Sequence, residues 1–179
     1  MFYGGLSVAE TSRNLAPIFD IPPPSKATIY EWVVDYTRLA KNVVGQHKAR
    51  TGDTWVADEM VVKIGGRKFW NWNVMDAETR FLLASRLSST RSSTDAAKVF
   101  RDAALAAHKP PKVVITDRLA SYIDGIERVF GADSKHVQSQ GLRAEVNNNL
   151  SERLQGTIRC RTKVMRGMQR LDTAQLIMD

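Results

Sequence analysis

Apolar and polar positions recur with different periods along this chain, and each period marks a different kind of element. Leu6, Ala9, Leu15 and Ile18 fall at helical spacing, and Ser7 with Glu10 three residues on forms a capping box at the start of that pattern. Asp20-Ile21-Pro22-Pro23-Pro24 must end this helix, because proline lacks an N–H and biases its predecessor out of the helical region. Ser25 then caps a second predicted helix over 26–40, with Ile29, Trp32, Val33 and Tyr36 on one stripe. Helix, tight break and helix predict a helix-turn-helix, although an ordinary helical hairpin packed on the rest of the chain satisfies the same pattern.

After a polar, basic stretch the period shortens. Thr54 to Ile64 is rich in β-branched and aromatic residues and runs into Gly65-Gly66, a hairpin signal. Phe69 to Val74 and Arg80 to Leu87 read as two more strands around a polar turn at 76–79. Ser92 or Ser93 caps a helix through His108, which Pro110-Pro111 stops. Lys112 to Thr116 reads as a short buried strand of the parallel kind. A helix from about Leu119 to Phe130, a strand at 135–138, a long helix at 148–165 and a shorter one after Leu171 complete the pattern. The predicted fold is α/β: a mixed sheet of a three-strand meander plus parallel strands, with helices on both faces. It divides into a helical segment at 1–42, a linker at 43–52 and a main domain at 53–179.

Three carboxylates fall where this layout would build a site. Asp58 lies inside the first strand, where a charge is costly to desolvate unless it is paired, protonated or bound to metal. Asp117 ends the buried strand at its carboxyl end, where open α/β sheets form ligand crevices. Glu152 opens the long last helix, after Asn147-Asn148-Asn149. On that helix Arg159, Lys163 and Arg166 fall within about 40° of Glu152, while Leu150, Leu154, Ile158 and Met165 take the opposite side. Glu59 points to the other face of its strand, because strand side chains alternate. Asp76 reads as a turn residue that needs no special explanation, and His136 reads as a surface or cap residue.

Composition narrows the possibilities further. The chain has 179 residues, with Lys+Arg 26 against Asp+Glu 19 and a formal charge of +7. Six basic residues and no acidic one lie between Arg153 and Arg170, a surface suited to tracking phosphates. The longest apolar run, Ala103 to Ala107, is far short of the roughly 20 residues of a membrane helix. Cys160 stands alone, which excludes an intramolecular disulfide and a Cys-rich zinc site. No leader pattern supports secretion, so the expectation is a soluble, cytoplasmic protein without a membrane partner.

Taken in order, W-V-A-D-E-M-V-V-K-I, V-I-T-D-R-L-A-S-Y and N-N-N-L-S-E-R-L-Q-G-T-I-R-C-R-T-K-V-M-R-G-M resemble the ribonuclease-H-like catalytic domain of prokaryotic insertion-sequence transposases, the DDE superfamily. Thirty-four residues separate Asp117 from Glu152, a spacing typical of one large branch of these enzymes. The front segment, G-L-S-V-A-E-T-S with S-K-A-T-I-Y-E-W-V, is similar to the helix-turn-helix that precedes the catalytic domain there. The resemblance implies that Asp58, Asp117 and Glu152 bind metal and catalyse. It implies Mg²⁺ or Mn²⁺, two ions, with nicking at transposon ends and transfer of the 3′-OH into target DNA. Arg159, Lys163 and Arg166 would hold the DNA backbone, and Lys26, Thr28 and Tyr30 would contact double-stranded DNA from the second helix. A homo-oligomer on DNA, associated with the nucleoid, is implied as well. Family members usually extend further at both ends, so the expectation is a chain shortened at each. Two alternatives remain open: a truncated, inactive DNA-binding remnant, and a ribonuclease-H-like nuclease.

Overall fold

The computed structural model describes residues 4–47, 49–139, 149–165 and 167–178. Five strands form one mixed sheet: β1 (Thr54–Ile64), β2 (Arg67–Asp76), β3 (Leu82–Ser88), β4 (Val113–Thr116) and β5 (Lys135–Gln138), in the order β3-β2-β1-β4-β5. β1 pairs antiparallel with β2, and β2 with β3, whereas β1–β4 and β4–β5 are parallel. The meander plus parallel strands expected from the sequence is therefore present.

Alternation along β1 sorts its residues between two layers. Trp55 and Ala57 face α3 (Ser93–Ala107) and α4 (Ala120–Phe130), where they join Trp72, Val74, Phe100, Tyr122, Ile126 and Phe130 in the larger core. Its aromatic rings meet edge to face, with Trp72–Tyr122 centroids 5.5 Å apart and Trp55–Phe130 5.8 Å apart. α3 and α4 come close because residue 125 is glycine; a Cβ there would lie 2.7 Å from the Cβ of Ala96. On the other face Met60, Val62 and Ile64 pack against Ile158 of α5 (Asn149–Val164) and against Met168, Ala174 and Met178, the last two on α6 (Leu171–Met178).

Turn chemistry sets the registers. Gly65 and Gly66 have φ of +55° and +77°, which the tight β1–β2 hairpin requires. β3 begins at Leu82 rather than at Arg80, because Arg80 adopts φ +62° inside the turn. Asp76 is not a passive turn residue. It is fully buried at the end of β2, and its carboxylate accepts from Gly52 N, Thr79 N and Thr79 Oγ1, closing the β2–β3 turn. His136 is half-buried, 2.8 Å from Thr116 Oγ1 between the two parallel strands.

α1 (Val8–Phe19) carries the capping box, with Glu10 N donating to Ser7 Oγ and Ser7 N to Glu10 Oε2. α2 (Lys26–Gly45) follows the proline break. It runs five residues past the predicted end and into the expected linker, because nothing between Lys41 and Gly45 breaks a helix. Of its predicted stripe only Ile29 and Val33 are buried; Trp32 and Tyr36 lie open to solvent. The sheet's β3 border is held by a side chain from α6: Gln175 Nε2 donates to Ser85 O at 2.7 Å, and Leu87 N donates to Gln175 Oε1 at 2.7 Å. Among the described residues no helix is long and apolar enough to cross a membrane.

Candidate active site

The carboxyl ends of the parallel strands and the first turns of α5 surround an open cleft of about 780 Å³. Asp58, Glu59, Asp117 and Glu152 line it, with Arg91, Arg118 and Arg159 at its edges and Gln155, Val61 and Trp70 in its walls. β1 delivers Asp58 on the α5 face. Pairing of β1 with β4 carries the chain to Asp117 just beyond Thr116. α5 brings Glu152 in its first turn.

Asp58 is buried, and among the described residues two donors are seen to reach it. Its Oδ1 accepts from Glu59 N at 2.9 Å, and its Oδ2 accepts from Gln155 Nε2 at 2.7 Å. Burial, followed by the charges of Glu59, Asp117 and Glu152, pushes its pKa up to about 7. Asp117 is half-buried at the head of α4. Its Oδ1 accepts from Leu119 N at 2.9 Å, and its Oδ2 lies 3.9 Å from Arg91 Nη2.

Glu59 points to the α3/α4 face, as alternation requires, and is fully engaged there. Oε2 accepts from the Tyr122 hydroxyl at 2.6 Å, and Oε1 accepts from Arg91 Nε at 2.8 Å and from Arg91 Nη2. Arg91 in turn lies over the Trp70 ring, 4.7 Å from its centroid, and its carbonyl accepts from Ser121 Oγ. Burial first, and the Glu59 charge next, hold the Tyr122 pKa well above the usual phenol value, so the hydroxyl stays a donor.

Oxygens of Asp58, Glu59 and Asp117 lie within 4.8 Å of one another, close enough to share a cation. Glu152 lies outside that group but lines the same cleft, exposed on α5. Arg159 and Lys163 are exposed along α5, and Arg159 Nη2 donates to Gln155 Oε1 at 3.2 Å. Arg166 lies outside the described residues. Lys26 and Tyr30 are exposed at the start of α2, whereas Thr28 is half-buried with its hydroxyl 2.8 Å from Ser25 Oγ.

Sequence reasoning missed Glu59, Arg91, Tyr122 and Gln155. Gln155 had a signal: it sits three residues after Glu152 and four before Arg159, on the face that turns toward the cleft. Arg91, one cation in a run of Ser and Thr, had none.

Residues 52–179 match the family model of a DDE domain, that of IS240 transposases. Among solved structures the chain is similar to the HTLV-2 integrase catalytic core domain in complex with magnesium, in its dimeric form. That match has a TM-score of 0.50 at 17% identity and covers 63% of this chain and 71% of that one. It is also similar to the simian T-cell lymphotropic virus intasome in complex with PP2A regulatory subunit B56 gamma. There the TM-score is 0.52 at 12% identity, over 73% of this chain and 49% of that one. An uncharacterized protein of Methanocaldococcus jannaschii is 24% identical over 115 residues, which are 64% of this chain. The chain spans about half the length of that relative. The five-stranded mixed sheet with helices on both faces is the ribonuclease-H-like core seen in those integrases. With a match that takes in well over half its length, this chain belongs to the DDE-domain family of IS240 transposases.

Proposed function

We propose that the chain is a DNA transposase that nicks transposon ends in a metal-dependent step and joins the freed 3′-OH to target DNA. One observation carries the reading: Asp58 and Asp117 offer oxygens within 4.8 Å in a cleft that Glu152 also lines and arginines rim. The donors fit a hard divalent ion. They are carboxylate oxygens, and no histidine or cysteine is among the described residues lining the cleft. Asp58, Asp117 and Glu152 would hold Mg²⁺ or Mn²⁺, one ion or two. Such ions, when bound, stabilise charge developing on the reacting oxygens of a phosphodiester.

The chain's own groups supply the rest. Asp58, with its pKa near 7, is only partly ionised at neutral pH, and positive charge entering the cleft favours loss of its proton. Gln155 ties α5 to β1 through Asp58 Oδ2 and Glu59 O, which holds Glu152 against the strand. Arg159 and Lys163 carry the backbone of double-stranded DNA along α5. Residues 1–42, with Lys26, Thr28 and Tyr30, serve as the end-recognition segment, joined through 43–52 to the catalytic unit at 53–179. The dimeric and trimeric forms of the similar integrase core support a homo-oligomer as the working species. Its place of action would be the nucleoid, in the cytoplasm.

Purified chain, duplexes taken from the DNA on either side of its gene, and Mg²⁺ or Mn²⁺ test this directly, with nicked and joined products as the readout. Asp58→Asn, Asp117→Asn and Glu152→Gln are each expected to fall below about one per cent of wild-type rate while still binding DNA. Wild-type rate in any one of them removes that residue from the chemistry. Binding without any product from the wild type would favour the inactive remnant.

A further inference from the structure

The cleft opens onto a surface that none of the roles above uses. Glu59, Val61 and Lys63 share the α3/α4 face of β1, and the antiparallel register sets Val61 opposite Trp70 and Lys63 opposite Lys68. Among the described residues α3 and α4 do not cover this end of that face. Val61 is 44% exposed in mid-strand, and Lys63 and Lys68 are exposed beyond it. Arg67 stands opposite Ile64, so alternation turns it to the α5/α6 side and leaves Lys63 and Lys68 as the cations of this face. Val61 and Trp70 belong to the cleft wall, so the surface runs without a break from the carboxylates to the hairpin tip.

Two features set this face apart from an ordinary solvated hairpin. Like charges placed directly opposite on neighbouring strands repel, yet Lys63 faces Lys68, and among the described residues neither makes an ion pair. The tip is also held in place. Gly65 N donates to Met168 O at 2.8 Å, and Ile64 bridges to Met168. An uncompensated pair of cations on an anchored hairpin, at the outer end of a surface continuous with the cleft, matches a polyanion that also enters that cleft.

We propose that Lys63 and Lys68, with Val61 and Trp70 at the inner end, form a track for the DNA backbone leaving the cleft. The proposal rests on the reading of the cleft as a DNA-processing site. Lys63 lies four residues along β1 from Glu59, about 13 Å at strand rise, or about four base pairs of duplex from the reacting phosphate. An acidic protein segment would match the charge, but not the continuity with the cleft.

The test measures binding of the full chain to a fluorescein-labelled linear duplex in EDTA, across a potassium chloride series. Lys63→Gln with Lys68→Gln is expected to make the slope of log affinity against log salt shallower by about 1–2. Affinity at about 0.1 M salt should fall at least about tenfold. Arg101→Gln with Arg128→Gln, on α3 and α4, removes the same charge elsewhere and is expected to leave the slope as it was. An unchanged slope in the hairpin variant, or an equal change in both variants, overturns the track.

A second arm uses Lys63→Cys in a Cys160→Ser background with thiol-tethered duplexes. Capture is expected for tethers about four base pairs from a nick, and capture that ignores tether position overturns the proposal. A wild-type chain that binds no duplex removes the proposed function and the track together. Wild-type binding whose slope is lost in Arg159→Ala with Lys163→Ala, but kept in the hairpin variant, removes the track alone.

Discussion

Asp58 and Glu59 are neighbours on β1, both buried, and the two faces of the strand treat them in opposite ways. On the α3/α4 side Glu59 receives a phenol and a guanidinium, each fixed by further contacts. On the α5 side Asp58 receives one side-chain amide and its neighbour's backbone N–H, and looks into an open cleft. A carboxylate whose lone pairs are all answered is part of the scaffold. One that is buried but under-answered stores an electrostatic demand that a proton or a cation can meet.

The largest effect that would break this comparison concerns pH. In the ion-free chain Asp58 titrates near 7, against 3.8 when exposed. The native state therefore holds more protons between those values, and stability falls as pH rises. The contribution is complete below about pH 4 and gone above about pH 7, of order 4 kcal/mol at most. Asp53, held down to about 2 by Lys112 and Lys109, stays ionised across the range tested. Urea unfolding at pH 5 and pH 8 is expected to show the loss, and Asp58→Asn to flatten it; a wild type equally stable at both would remove the demand ascribed to Asp58.

Next in size is Arg91→Ala, which strips Glu59 of its cation. It should cost about 2–4 kcal/mol, toward the low side for breaking a buried pair because Arg91 is partly exposed. Glu59→Gln added to it should recover most of that loss, and denaturant midpoints measure both. The sharpest version removes one donor on each face. Tyr122→Phe leaves a buried charge short of a hydrogen bond and should cost about 1.5–3 kcal/mol. Gln155→Ala should cost less than about 1 kcal/mol, since water or a proton reaches Asp58 from the cleft. Equal costs would mean that the two faces do not differ.

Much of this layout could be read along the chain. Gly65-Gly66 announces the hairpin, the run Val113–Thr116 a buried parallel strand, and Ser7 with Glu10 the first cap, because each signal is complete within a few residues. Asp58, Asp117 and Glu152 could be placed around one cleft because Asp117 and Glu152 sit at element ends and Asp58 lies inside the strand beside them, positions that the topology dictates. Arg91 and Tyr122 could not be attached to Glu59, since that contact spans 32 residues in one case and 63 in the other. Alternation correctly sent Glu59 to the far face, but direction is not distance, and its oxygen still lies near those of Asp58 and Asp117. The end of α2 was misread because Lys41 and Asn42 open its last turn, and two polar residues do not stop a helix that Val43 and Val44 continue.

Gln175 has a consequence for the life of this protein in concentrated solution. A border strand offers its free amides and carbonyls to any extended peptide that drifts against it, which is how ordered aggregates seed. By seating its carboxamide on Ser85 and Leu87, α6 answers that border from within, with a single side chain in place of a sixth strand. Protection from fibrillar self-association thus depends on the last helix staying docked, and unpeeling α6 would turn β3 into a template.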